Sequence, residues 1–301
     1  MLAQLLRRLI AGQMLVGAGL GWLIAREGHA PLWLIPSLAL LAPWLTSLGV
    51  ILTGAIKSRQ AGQNALWLRS IAGEYRASTR IFLLQLPWAK TPAHIETPLS
   101  RPSADATAPR VPVVLVHGYI CNHRVWDAMA SQLLRAGHTV HRLDLEPLFT
   151  SIDDYAEALE KAVEEISRAT GAPQVALIGH SMGGLVIRAW MRACGTERVQ
   201  RVITLGTPHQ GTRIDPHPKT PNGRQMSWHS DWLQTLAASE TAATRQLMRI
   251  ALTPQDSVVY PQLEQRLPDV PVTVFEGLGH LELIQSKKVA HWVVKVLETG
   301  V

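Results

Sequence analysis

From Ala30 to Ile56 the chain carries no charged residue, a stretch longer than the roughly 20 residues an α-helix needs to cross a bilayer. A backbone surrounded by lipid must satisfy its own hydrogen bonds, so a spanning stretch of this kind has to be helical. Pro36 and Pro43 bend such a helix without excluding it. A second apolar stretch, Leu9 to Ala25, is interrupted only by Gln13 and is flanked by Arg7 and Arg8 before and by Arg26 and Glu27 after. Within it, Gly17 and Gly21 have the spacing that lets two helices approach closely. The expectation is a two-helix transmembrane hairpin over residues 1–60. Two other readings compete with it. Buried helices of a soluble fold rarely run this long without a charge, and a cleaved signal peptide would have a shorter apolar region and a small-residue cleavage site after it.

Lys57, Arg59, Arg69, Arg76 and Arg80 follow the apolar segments, and the chain of 301 residues has a formal charge of +6. Cations in that position meet anionic headgroups. No run resembles a nucleic-acid motif, so a membrane is the expected partner and nucleic acid is not. Arg7 and Arg8 precede the first segment, only Arg26 lies between the two, and Lys57, Arg59 and Arg69 follow the second. Basic flanks at both ends favour a hairpin whose two ends lie in the cytoplasm. Residues 61–90 read as an amphipathic juxtamembrane segment, with Leu66, Ile71, Tyr75 and Phe82 set among basic positions; it lies either on the membrane or against the domain that follows. Residues 91–110, with Pro92, Pro98, Pro102 and Pro109, read as a linker. Cys121 and Cys194 have neither paired nor metal-ligand spacing, which fits a reducing compartment.

From Val111 to the C-terminus short apolar runs alternate with helical patterns. Strands are expected at Val111–His117, Thr139–Leu145, Val175–Gly179, Arg201–Gly206, Ile250–Leu252 and Val270–Phe275. The helix carrying Ile152, Tyr155, Leu159, Val163 and Ile166 starts at a Ser151 cap and ends at Gly171. This βαβ alternation defines an α/β domain over 111–301, with a mostly parallel sheet and helices on both faces.

The strand at Val175 runs directly into Gly179-His180-Ser181-Met182-Gly183 and a helix. That order describes a sharp turn presenting Ser181 as a nucleophile, with glycines where side chains would collide with the neighbouring strand and helix. The Met182 amide, at the helix start, is one donor for a developing oxyanion, and the Tyr119 amide, in the turn His117-Gly118-Tyr119, is the candidate for the second. His117 itself reads as a residue that shapes this loop. The acid and base should follow the serine in chain order. Asp256 stands on the turn leaving the carboxyl end of a strand, where ligand-facing loops belong. Asp215 and Asp231 lie in an irregular stretch, and Asp269 precedes its strand. His280 leaves the carboxyl end of the last strand, whereas His209 precedes the acid and His291 lies in a terminal helix. In these roles His280 takes the Ser181 proton, Asp256 orients the imidazole, and the alkoxide attacks an acyl carbon. No metal or organic cofactor is required.

Taken together, His117-Gly118-Tyr119, Gly179-His180-Ser181-Met182-Gly183, Gly206-Thr207-Pro208-His209-Gln210-Gly211-Thr212, Asp256-Ser257-Val258-Val259 and Gly279-His280-Leu281 resemble the bacterial lipases and esterases of the α/β-hydrolase superfamily. The resemblance covers Val111 to the C-terminus. It implies an α/β-hydrolase fold and hydrolysis of carboxylic esters, lipids or other acyl esters, with Ser181, Asp256 and His280 as the triad. Many such relatives have a further glycine at the oxyanion turn, where Ile120, Cys121 and Asn122 stand here. An acyltransferase with the same triad and a noncatalytic membrane scaffold are the alternatives. The expected location is a multi-pass bacterial inner-membrane protein with a cytoplasmic catalytic domain. Thr212–Asp231, with three prolines, reads as a lid, a pocket wall or an inert loop.

Overall fold

The computed structural model describes residues 1–28, 30–59, 62, 64–90, 95–98 and 110–299. Two long helices, α1 (Leu2–Gly28) and α2 (Leu34–Ser58), lie side by side. Both are long and apolar enough to cross a membrane. Gly17 and Gly21 are where they meet. A methyl group on Gly17 would run into the Leu38 carbonyl, and one on Gly21 would lie 2.8 Å from the Ile35 Cα. Between these contacts the hairpin turns apolar side chains outward: Leu15, Val16, Leu20, Leu40, Leu45 and Val50 are all exposed. The ends behave differently. Leu2 and Leu6 of α1 are buried in the same core as Leu86 and Trp126, and the far end of α2 packs on the domain that follows.

Helix α3 (Asn64–Thr79) continues into a π-helical turn at Arg80–Gln85. Of the two positions open to it, α3 takes the one against the domain: Gly73, Glu74, Ala77 and Ser78 are buried. Most of the expected linker, 91–94 and 99–109, lies outside the described residues. Within it Glu96 makes an antiparallel bridge to Val140, with hydrogen bonds of 2.8 and 2.9 Å, so this short piece extends the sheet edge.

The sheet has six strands, β1 (Val113–Val116), β2 (Val140–Leu143), β3 (Val175–His180), β4 (Val199–Leu205), β5 (Met248–Leu252) and β6 (Val272–Val274), in the order β2-β1-β3-β4-β5-β6. Every neighbouring pair is parallel. Side chains of a strand alternate between faces, which divides the core in two. Val113, Leu115, Ala176, Ile178, Ile203 and Leu205 face α4 (Asp127–Arg135) and α11 (Lys287–Thr299). Val114, Val116, Val175, Leu177 and Val202 face α5 (Ala156–Thr170) and α6 (Met182–Cys194). Leu159, Ala162, Val163 and Ile166 put one stripe of α5 in that core, and each large apolar side chain so buried contributes roughly 1.5 to 3 kcal/mol. Gly171 ends α5 in the left-handed conformation, φ 69°. Ser151 does not cap α5 itself; its hydroxyl accepts from the Asp153 amide at 3.3 Å, and a 3-10 turn, Asp153–Tyr155, intervenes. Three short helices, α7 (Pro221–Gln225), α8 (Asp231–Ala238) and α9 (Ala242–Gln246), lie between β4 and β5, and α10 (Glu282–Gln285) precedes α11.

Candidate active site

A parallel sheet delivers the chain from all its strands to one edge, and the residues singled out above leave that edge on separate loops. Ser181 follows β3 at a turn where the chain reverses into α6. Its φ of 54° and ψ of −126° are a conformation L-residues adopt only under constraint. The constraint is visible on both sides. A methyl at Gly179 would lie 2.5 Å from the Gly184 amide nitrogen, and one at Gly183 would strike the Val116 carbonyl. Only glycine lets β1, β3 and α6 come this close around the serine. Gly118 comes equally near: a methyl there would lie 2.9 Å from the Ser181 Cβ.

Asp256 and His280 form a buried pair. The His280 Nδ1 lies 2.7 Å from Asp256 Oδ2, while Asp256 Oδ1 accepts the amides of Val258 at 2.8 Å and Val259 at 2.7 Å. Each carboxylate oxygen therefore has its own partner, which fixes the plane of the group and through it the imidazole. His280 sits beside the residue that precedes the serine, its ring centroid 4.6 Å from that of His180, and its carbonyl accepts from His180 Nε2 at 3.2 Å. Burial acts to lower the pKa of His280, but the Asp256 carboxylate, by charge and by hydrogen bond, and the carboxylate of Glu74 together hold it above the ordinary imidazole value. His180 carries no such support, and burial together with the neighbouring His280 keeps it well below.

Met182 opens α6, so its amide has no partner within the helix. Tyr119 follows Gly118 and lines a cavity of about 590 Å3 together with Ser181. Among the described residues neither amide donates to a protein acceptor. The neighbouring Ile120 is β-branched and yet left-handed, φ 52°, so the absence of a glycine is met by strain rather than by a different turn. His117 is a strap. Its Nδ1 lies 2.8 Å from the Gly118 carbonyl and its Nε2 accepts the Leu145 amide at 3.0 Å. Burial lowers its pKa, so the neutral ring ties the end of β1 to the end of β2.

The other candidates lie apart. His209 is buried against Thr204 Oγ1 at 3.0 Å and Arg188 at 3.3 Å, and His291 is exposed on α11. Asp215 is exposed at the cavity rim, Asp231 is exposed at the start of α8, and Asp269 occupies a left-handed turn before β6. Thr212–Asp231 is a wall: Thr212, Ile214, Pro218, Thr220 and Met226 line the cavity, opposite Val258 and Val259. Among the described residues no group of His, Cys, Asp or Glu could hold a metal ion. The thiol of Cys121 is pushed up to about 12 by burial, which leaves it unreactive.

One contributor escaped the reading of the sequence. Glu74 of α3 reaches the His280 loop and accepts the Leu281 amide at 2.8 Å. It is the sole acidic residue between Glu27 and Glu96, in a segment otherwise basic, but nothing in that pattern names its partner.

A serine on a strained strand-to-helix turn, an Asp–His pair from two later loops and a parallel sheet recur together in one family, and the model of the α/β hydrolase fold matches residues 111–280. The chain belongs to the α/β-hydrolase family. Among its curated relatives in this family is the triacylglycerol lipase of Pseudarthrobacter phenanthrenivorans, 38% identical over 116 residues, which are 36% of this chain and 36% of that one. Another is a pimeloyl-[acyl-carrier protein] methyl ester esterase of Klebsiella pneumoniae subsp. pneumoniae, 30% identical over 192 residues, 61% of this chain and 70% of that one. The match thus spans about a third of the lipases' length. Among solved structures, the mature Bacillus licheniformis lipase BlEst2 superposes with a TM-score of 0.58 at 18% identity, over 69% of this chain and 99% of that one. At that identity the likeness speaks for the hydrolase fold alone. The family match begins at Val111, so the hairpin and α3 lie outside it.

Proposed function

We propose that this α/β-hydrolase cleaves carboxylic esters through an acyl-enzyme on Ser181. The observation that carries the reading is the buried His280–Asp256 pair, at 2.7 Å, whose imidazole packs on His180, the residue before a serine held at φ 54°. His280 accepts the serine proton, and the alkoxide attacks the acyl carbon. The oxyanion develops towards the free amides of Met182 and Tyr119, where removal of a single donor costs about 3 to 4 kcal/mol in comparable sites. The imidazolium, stabilised by Asp256, returns its proton to the leaving alcohol. Water, deprotonated by the same histidine, then attacks the acyl-enzyme and releases the acid. The 590 Å3 cavity has the size of a small-molecule site. Its walls of Ile214, Pro218, Met226, Val258 and Val259 suit an acyl chain, and the lipase and esterase names of the relatives point to the same class.

The domain division proposed with this function is a membrane hairpin over 1–60, a juxtamembrane segment over 61–90, a linker over 91–110 and the catalytic domain over 111–301. The outward apolar faces of α1 and α2 support membrane insertion over a soluble core, and burial of Leu2 and Leu6 with the domain core supports retention of the first helix. The basic flanks support a multi-pass arrangement in an inner membrane, with the catalytic domain in the cytoplasm. The test is hydrolysis of p-nitrophenyl esters of increasing chain length by the full chain in detergent. Release of nitrophenol that disappears in Ser181→Ala is expected; an inactive wild-type chain, or an active variant, refutes the proposal.

A further inference from the structure

The two loops that carry Asp256 and His280 are not held by the family domain alone. On the loop after β6, Glu74 Oε2 accepts the amide of Leu281 at 2.8 Å and that of Glu282 at 3.3 Å, and it lies against Gly279, where any side chain would collide with it. The Glu282 carboxylate folds back to accept the Gly279 amide at 3.1 Å and abuts Gly73. The peptide groups on both sides of His280 therefore end on carboxylates, one of them from α3. On the loop after β5, Gln262 Nε2 donates to the Ser58 carbonyl at 3.0 Å and to the Asp256 carbonyl at 2.8 Å. Gly54 of α2 lies so close that a methyl there would be 2.8 Å from the Ser257 carbonyl oxygen. Hairpin end and juxtamembrane helix thus grip the acid loop and the base loop respectively.

We propose that Glu74 is a positioning residue for His280, through which the segment following the apolar hairpin sets the place and basicity of the catalytic imidazole. The inference rests on the ester-hydrolase reading above. Its cost argues that it is more than packing. Glu74 is 3% exposed, and burial, with the Asp256 carboxylate, outweighs the charge of His280 and the two amide hydrogen bonds and leaves its carboxyl at about 7. A buried carboxyl of this kind is destabilising unless its hydrogen bonds and charge offset the cost, and an apolar side chain in its place would leave the Leu281 and Glu282 amides without this acceptor. The groups that face His280 are Asp256 from the β5 loop, Glu74 from α3 and His180 at the end of β3, which burial keeps neutral. The groups that face Glu74 are His280 and Asp256, with the Glu282 carboxylate turned to Gly279 and Gly73. Above about pH 7, where Glu74 is ionised, its charge raises the pKa of His280, so removing it lowers that pKa.

Three full-length variants in detergent separate positioning from packing, with thermal unfolding measured on each. Glu74→Gln keeps an oxygen that accepts both amides but removes the charge. It should retain the plateau kcat within about threefold and move the acid limb of kcat to lower pH. Glu74→Ala releases the loop and should lower kcat by at least about tenfold at unchanged KM, because small displacements of a base cost up to about a hundredfold. Glu74→Asp, one methylene short, should fall between them. If Glu74→Ala does not fold, Glu74→Gln decides alone. An acid limb left in place in Glu74→Gln, or a folded Glu74→Ala with kcat within about threefold of wild type, overturns the assignment of Glu74 while leaving the triad standing. A wild-type chain without Ser181-dependent hydrolysis removes the triad reading and this inference with it.

Discussion

Asp256→Asn is the substitution whose effect follows most directly from the geometry. Asp256 Oδ1 accepts two amides, those of Val258 and Val259, and Oδ2 faces His280 Nδ1. An asparagine must keep its carbonyl oxygen at the Oδ1 position, because an NH2 group there would confront two N–H donors in a buried site. Its NH2 therefore faces His280 Nδ1, which can only accept. The ring proton then moves to Nε2, and the nitrogen that should take the serine proton already holds one. A wrong tautomer of this kind costs about 10⁴-fold in kcat in a serine triad, equivalent to roughly 5 kcal/mol of transition-state stabilisation. Both amide hydrogen bonds survive the exchange, so thermal unfolding should shift little while p-nitrophenyl ester turnover collapses. Asp215→Asn and Asp231→Asn alter exposed side chains and should leave turnover within about twofold, the usual range for surface changes. A loss of less than tenfold for Asp256→Asn, or a larger loss at Asp215 or Asp231, would falsify the assignment of the acid.

Ser181→Ala should abolish both ester hydrolysis and labelling by a fluorophosphonate without unfolding the chain; retained labelling places the nucleophile elsewhere. His280 must be neutral to act as base, and because its folded pKa is held above the ordinary imidazole value, kcat/KM should fall as pH drops through a midpoint above about 6.5. A flat profile from pH 5 to 8 argues against His280. Protease added to sealed right-side-out membrane vesicles should spare residues 111–301 until the vesicles are opened, and cleavage before opening refutes the cytoplasmic orientation.

The sheet was legible because strands buried on both faces read as short continuous apolar runs, and β1 to β5 fall within or beside the expected stretches. Their ends were less so. β6 is Val272–Val274 rather than Val270–Phe275, since Asp269 turns left-handed and the Val270 amide closes that turn on the Leu267 carbonyl. Of the proposed site, Ser181, Asp256 and His280 stand out in the sequence because each stands at the carboxyl end of a recognisable strand. Glu74 does not. Periodicity shows that α3 has a buried face but not what lies opposite, and a carboxylate more than two hundred positions from its partners leaves no local pattern. The wall formed by Thr212–Asp231 was equally indeterminate, because a loop without periodicity carries no statement about which neighbour it covers.

The hairpin's contacts bear on how the substrate is reached. Its two ends, Leu2 and Leu6 on one side and Gly54 and Ser58 on the other, pack on the sheet domain, while its middle turns apolar side chains outward. In the topology proposed above, both ends of the hairpin would share the side on which the domain stands, which agrees with the basic flanks. Ser257, which α2 touches at Gly54, is followed by Val258 and Val259, and these two residues wall the cavity above Ser181. In that topology, the place where α2 would leave the apolar layer contacts Ser257, the residue before the cavity-lining Val258. An ester drawn from that layer would have a short path to the serine, whereas a substrate from bulk solution would gain nothing from the arrangement. A hairpin serving only as a tether has no need to touch the loop that carries Asp256. Direct packing of α2 and α3 on the two loops that hold Asp256 and His280 is instead the contact through which, in the proposed reading, the seating of the hairpin would set the geometry of the site.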